Sequence, residues 1–278
     1  MANRPDAILA PESYAELFAE WNRWPDSALF AGGVERLRFQ DRRVPELPPV
    51  ILSLEKVEET HRITRSERYL EIGAMVKLGR IIELRKFVPC ALVHCLRNIA
   101  GPQVRNMATI GGNVRLHLDS AAALTALDAQ YELRNALASR WVSASRFSPD
   151  PGTTATHGTL GARELIGRIR VPLDNWDYSA YRKFAGRNGS TRSAVFLAKP
   201  QKNVLGDIRI VCKTDDKIWR DRDGEMLLIG KRLPLTRRIA ATFVSRWETF
   251  LRGAENVDEL SRKELVNFID LNVADLAE

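Results

Sequence analysis

Strand-length and helix-length apolar segments alternate irregularly along this chain, and that irregularity restricts its fold more than any other feature. Residues 28–31 (ALFA), 49–54 (PVILSL), 69–74 (YLEIGA), 130–134, 141–143, 164–172 (ELIGRIRVP), 178–184 and 207–212 (DIRIVC) read as short strands. Residues 12–22 (ESYAELFAEWN), 76–85, 91–100 (ALVHCLRNIA) and 121–129 (AAALTALDA) carry apolar side chains at helical spacing. Beyond Pro234 the segments LTRRIAATFVSRWETFL and SRKELVNFIDL predict amphipathic helices. A polar loop is expected at 150–160. Strands and helices mix without a regular βαβ rhythm, which favours α+β over a doubly wound sheet. The pattern breaks near residues 54 and 173.

The chain has 278 residues, 45% hydrophobic and 28% charged, enough for one large domain or two to three small ones. It has no apolar run long enough to span a bilayer, and its first residues lack the apolar core of a signal peptide. The cysteines are Cys90, Cys95 and Cys212, too few and too odd for a disulfide framework, so a cytoplasmic location is expected. The net charge of +7 is dispersed rather than gathered into a basic stripe with aromatics. We therefore expect no nucleic-acid partner; a solvated surface, an acidic protein partner or an anionic cofactor all fit.

The chemistry-bearing motifs are few. No GxGxxG, GxxxxGK[ST] or GxSxG occurs in a usable context. Cys90, His94 and Cys95 lack further ligands at metal spacing, and an iron–sulfur cluster needs four cysteines, so both cysteines read as buried small residues. Two glycine stretches remain, Ala31-Gly32-Gly33-Val34-Glu35 and Thr109-Ile110-Gly111-Gly112-Asn113. Adjacent glycines cost backbone entropy, so something must need bare backbone there. Each stretch can present consecutive N–H groups to an anion, or can be a plain turn. Two facing each other suit the diphosphate of a dinucleotide.

In order, AGGVERL, EIGAMVKLGRI, IAGPQVRNMATIGGN, YSAYRKFAGR and EMLLIGKRL resemble the FAD-binding medium subunit of molybdenum hydroxylases, the group of xanthine, carbon monoxide and nicotinate dehydrogenases. QVRNMATIGGN is the most specific stretch. The resemblance implies a p-cresol methylhydroxylase-type (PCMH-type) FAD-binding domain over 1–175, in two α/β subdomains at about 1–54 and 55–175. An α+β domain with a small antiparallel sheet and helices would follow over 176–278. It implies that Phe30, Ala31, Gly32, Gly33, Val34 and Glu35 on one side, and Thr109, Ile110, Gly111, Gly112 and Asn113 on the other, clasp the FAD pyrophosphate. Asp119 would grip cofactor hydroxyls, although only Val114–Leu118 separate it from Asn113, a shorter gap than the family's usual one. Ile166 would lie near the flavin ring, and Arg182 or Lys183 near the flavin or its phosphates. The implied role is electron transfer, from the [2Fe–2S] clusters of a small subunit, beside a molybdopterin-bearing large subunit, through FAD to an acceptor such as NAD. No catalytic acid or base and no metal site in this chain are called for. A flavin-free docking subunit and a stand-alone FAD oxidoreductase are the alternatives.

Overall fold

The computed structural model describes residues 5–38, 47–149, 159–185, 191–214, 217–254 and 257–277. The expected loop therefore lies outside the described residues over 150–158, as does the end of YSAYRKFAGR. The strands are β1 (Ala7–Leu9), β2 (Ala28–Phe30), β3 (Val50–Ser53), β4 (Ile63–Arg65), β5 (Tyr69–Gly73), β6 (Gln130–Arg134), β7 (Ser139–Ser143), β8 (Leu165–Pro172), β9 (Tyr178–Ala185), β10 (Thr191–Gln201), β11 (Val204–Thr214) and β12 (Lys217–Trp219). The helices are α1 (Tyr14–Arg23), α2 (Val34–Arg38), α3 (Leu78–Glu83), α4 (Cys90–Arg97), α5 (Pro102–Met107), α6 (Ile110–Arg115), α7 (Ser120–Ala126), α8 (Arg222–Leu228), α9 (Arg237–Arg252) and α10 (Glu259–Ala274). The α+β class holds.

The chain forms two compact units. One comprises 1–88, 99–117 and 128–173; the other comprises 89–98, 118–127 and 174–278.

The first unit carries two sheets. One is parallel, in the order β1-β3-β2, with Ala7 opposite Val50 and Ala28 opposite Ile51. Helix α1 buries Leu17, Phe18 and Trp21 against Leu52, Val57 and Leu165. The other sheet is antiparallel, in the order β4-β5-β8-β6-β7. Its alternation is clear: Leu70, Ile72, Ile169, Val171, Tyr131, Leu133 and Val142 are buried, while Glu71, Arg168, Arg170, Glu132 and Trp141 occupy the intervening positions.

The second unit is built on an antiparallel sheet, β12-β11-β10-β9. Ala194, Phe196, Ala198, Ile208, Ile210 and Cys212 form one core with Phe243, Trp247 and Leu251 of α9 and Leu265, Phe268 and Ile269 of α10. Helices α4 and α7 also pack on this sheet. Helix α9 starts at Thr236, whose Oγ1 accepts the Ile239 N–H at 3.4 Å. Thr236→Ala is expected to cost about 1 kcal/mol of stability, read as a lower urea midpoint with unchanged m.

Several elements escape the sequence pattern: α2, α5, α6, α8, β1, β4, β10 and β12. The Gly-Gly stretch at 109–113, read as an open loop, is instead the start of helix α6. Cys95 is buried as expected, but Cys90 is exposed, a correction to its reading as a core residue.

Candidate functional site

Strand β2 ends at Phe30, whose carbonyl accepts the Leu54 N–H at 2.9 Å and so fixes where the next loop begins. A Cβ at Gly32 would collide with the Met107 carbonyl at the end of α5. Gly33 sits at φ +70°, a conformation that favours glycine, and a Cβ there would run into the Phe30 ring. Val34 and Glu35 open α2. Gly32 thus lets the loop touch the backbone at Met107–Ala108, just before Thr109, which brings the two glycine stretches together. Among the described residues, the N–H groups of Ala31, Gly32 and Gly33 meet no acceptor. All three residues are half-buried.

The second stretch differs from the sequence-based expectation. It runs alongside the chain after β5, with Thr109 bridged antiparallel to Lys77. Ile110 N–H donates to the Val76 carbonyl at 3.0 Å and Gly111 N–H to the Ala74 carbonyl at 2.8 Å. Thr109 caps α6, its Oγ1 accepting the Gly112 N–H at 3.2 Å, while Asn113 N–H donates to the Thr109 carbonyl at 3.0 Å. The amides of 110–113 are therefore all engaged within the chain. Gly111 is glycine for another reason: a Cβ there would lie 2.6 Å from the Ala74 Cβ and 2.8 Å from its carbonyl oxygen. Bare backbone at this position serves close packing. What this stretch keeps for a ligand is the Thr109 hydroxyl proton, because Oγ1 accepts from Gly112 without spending its own hydrogen.

Ile166 lies in β8 opposite Leu133 and is nearly buried. The next residue, Gly167, accepts the Ala74 N–H at 3.0 Å, so Ile166 is tied through Ala74 to Gly111.

In the second unit, Lys183 of β9 donates to Asp119 Oδ2 at 2.7 Å, with both side chains largely buried. The Asp119 carbonyl accepts the Cys95 thiol at 3.3 Å. Burial pushes the Cys95 thiol up to about 12, so it stays a neutral donor. Arg182 instead stacks on Phe184, 5.7 Å from the ring centroid. Of the two cations expected at this place, Lys183 is the one joined to Asp119.

The charged face of the five-stranded sheet is not singled out by the sequence patterns. Glu132, 1% exposed, accepts Arg168 Nε at 2.8 Å and Arg134 at 3.1 Å. Glu71 accepts Arg168 at 2.9 Å and Arg170 Nε at 2.8 Å. Arg170 stacks on Trp141 at 4.0 Å. The signal is present as alternating charges in YLEIG, QYELR and LIGRIRVP, but which carboxylate meets which guanidinium depends on strand register.

A family model described as the FAD-binding domain in molybdopterin dehydrogenase matches residues 4–174. The chain is 32% identical over 212 residues to the glyceraldehyde dehydrogenase medium chain of Sulfolobus acidocaldarius, covering 73% of each. It is 30% identical over 227 residues to the nicotine 6-hydroxylase medium subunit of Paenarthrobacter nicotinovorans, covering 78% of this chain and 77% of that one. The fold matches a chain of carbon monoxide dehydrogenase from Hydrogenophaga pseudoflava with a TM-score of 0.77 at 23% identity, covering 100% of this chain and 98% of that one. This chain belongs to the family of FAD-binding domains of molybdopterin dehydrogenases. Among the described residues, no group of three or more His, Cys, Asp or Glu suits a metal ion, and no helix is long and apolar enough to cross a membrane.

Proposed function

We propose that this chain is the flavoprotein medium subunit of a molybdenum hydroxylase complex, and that it holds the FAD diphosphate on the Ala31, Gly32 and Gly33 amides and the Thr109 hydroxyl. The observation that carries the reading is the run of three amides that meet no acceptor among the described residues, in a loop that Gly32 brings onto the backbone at Met107–Ala108, next to Thr109. Successive N–H groups of this kind attract anions. The family match over 4–174 supports a flavin-binding domain at about 1–175, while 176–278 fold in one compact unit with 89–98 and 118–127.

The residues fall into distinct roles. Gly32 and Gly33 shape the loop, Phe30 anchors it, and Val34 and Glu35 continue it into α2. Ile110, Gly111, Gly112 and Asn113 hold Thr109 in place through their engaged amides. Ile166 offers an apolar contact to the ring. In the second unit, Asp119 is oriented by its ion pair with Lys183 and offers its other carboxylate oxygen to a hydroxyl donor. When bound, FAD supplies one- and two-electron redox chemistry. Electrons would arrive from a molybdopterin large subunit by way of a [2Fe–2S] small subunit and leave to an acceptor such as NAD.

Flavin per chain, measured by visible absorbance during FAD titration, tests the reading. Thr109→Ser should bind like the wild type. Thr109→Val keeps the shape and loses a hydroxyl donor to an anion, so its affinity should fall about 10-fold or more. Equal binding by both variants overturns the role of Thr109. Wild type that takes up no FAD overturns the whole reading in favour of the flavin-free docking subunit, which the engaged amides of 110–113 favour.

A further inference from the structure

Helix α4 begins with Cys90, directly after Pro89, and one turn later carries His94. The Cys90 Sγ lies 3.4 Å from His94 Nε2 and 3.9 Å from Nδ1. This is an i,i+4 pair on one helix face, a nucleophile and a base within hydrogen-bonding reach. Cys90 is exposed, whereas Cys95 and Cys212 are 0% exposed. The Asn98 side chain donates to the His94 backbone carbonyl at 2.8 Å, which ties down the turn that carries the imidazole. The charged groups that β9 and α7 bring to α4, Lys183 and Asp119, gather at Cys95 on the buried side of the helix, with Tyr181.

We propose that Cys90 is a site of covalent modification by low-molecular-weight disulfides, with His94 as its general base. In the step, the His94 imidazole takes the Cys90 thiol proton. The Cys90 sulfur then attacks one sulfur of R–S–S–R. A Cys90–S–S–R bond forms as the reagent's own S–S bond breaks, and the departing thiolate takes the proton from the imidazolium. One thiol and one disulfide become one mixed disulfide and one free thiol, and the reagent is the oxidant. The first turn of α4 adds its positive end to the same sulfur. Neither residue belongs to the flavin reading, so the proposal stands or falls apart from it.

The test uses the full chain and 5,5′-dithiobis(2-nitrobenzoate), an aromatic disulfide whose released thiolate is coloured. At about pH 6.5, wild type should release one rapid equivalent, His94→Gln should react about 10-fold more slowly, and Cys90→Ser should release none rapidly. Near pH 9 the gap between wild type and His94→Gln should close, because an unassisted thiol ionises there unaided. Peptide mass spectrometry should place the adduct on Cys90. His94→Asn repeats the measurement should His94→Gln not fold. Equal rates for wild type and the histidine variant at pH 6.5, a rate gap that persists at pH 9, or an adduct on Cys95 or Cys212 would overturn the proposal.

Discussion

Replacing Gly32 by alanine is expected to leave the chain almost without bound FAD. A Cβ at this position would run into the Met107 carbonyl, which is backbone and not able to swing aside as a flexible side chain does. Either the 31–33 loop lifts away or the end of α5 shifts, and overpacking of this kind costs about 1–3 kcal/mol in stability. The effect on the ligand is larger than that on the fold. The close approach of Gly32 to the Met107 backbone holds the loop that carries the three amides, and two charge-assisted hydrogen bonds lost together amount to about 100-fold in affinity or more. Gly253→Ala is the control: the position closes α9 in helical conformation and its nearest neighbour is 3.7 Å away, so flavin content and melting temperature should both match wild type. The measurement is the flavin-to-protein ratio after gel filtration, together with Tm. Full flavin occupancy in Gly32→Ala would mean that the loop does not carry the diphosphate.

Residues with strict local patterns are legible in the sequence alone. ELIGRIRVP and PVILSL are strands because their apolar residues alternate or run together between breakers, and both appear where the pattern puts them. Pro102 follows the end of α4 and opens the first turn of α5, where its missing N–H costs nothing. Gly111 and Gly112 read as a loop because glycine is a poor helix former. Tertiary contact overrides that weakness: Thr109 caps the turn and Ala74 demands a residue without a side chain. The state of the candidate site is less visible still. Whether the amides of Ile110 and Gly111 are free depends on Val76 and Ala74, more than thirty residues earlier, and no local window reports that. Nor does anything in 89–98 or 118–127 reveal that α4 and α7 pack on β9, β10 and β11. The pairing of Lys183 with Asp119 follows from that packing and not from sequence spacing.

Glu132→Ala should be among the most destabilising single changes in the first unit, and its cost should depend on pH. The carboxylate is almost wholly buried and sits between Arg168 and Arg134. Removing it takes the buried carboxylate from Arg134, which lies over Tyr14, and from Arg168, which lies over Trp141 and keeps Glu71. Breaking a fully buried ion pair costs about 3–5 kcal/mol; both arginines here retain solvent access, which brings the expectation to about 2–4 kcal/mol. Burial by itself would raise the pKa of Glu132, yet hydrogen bonds and charge from Arg168, then Arg134, hold it below the ordinary glutamate value. A carboxylate depressed in the folded state binds fewer protons there than in the unfolded chain. Its stabilisation is complete above the unfolded value of about 4.3 and is lost as pH falls through the lower folded value. Glu132→Gln keeps the shape but cannot ionise, so it should be less stable than wild type at neutral pH and lose less stability on acidification. Urea midpoints at pH 7 and at about pH 3 decide the matter: the gap between wild type and Glu132→Gln should narrow at the acid end. A gap independent of pH would show that Glu132 acts by shape alone and that its charge contributes nothing to the sheet.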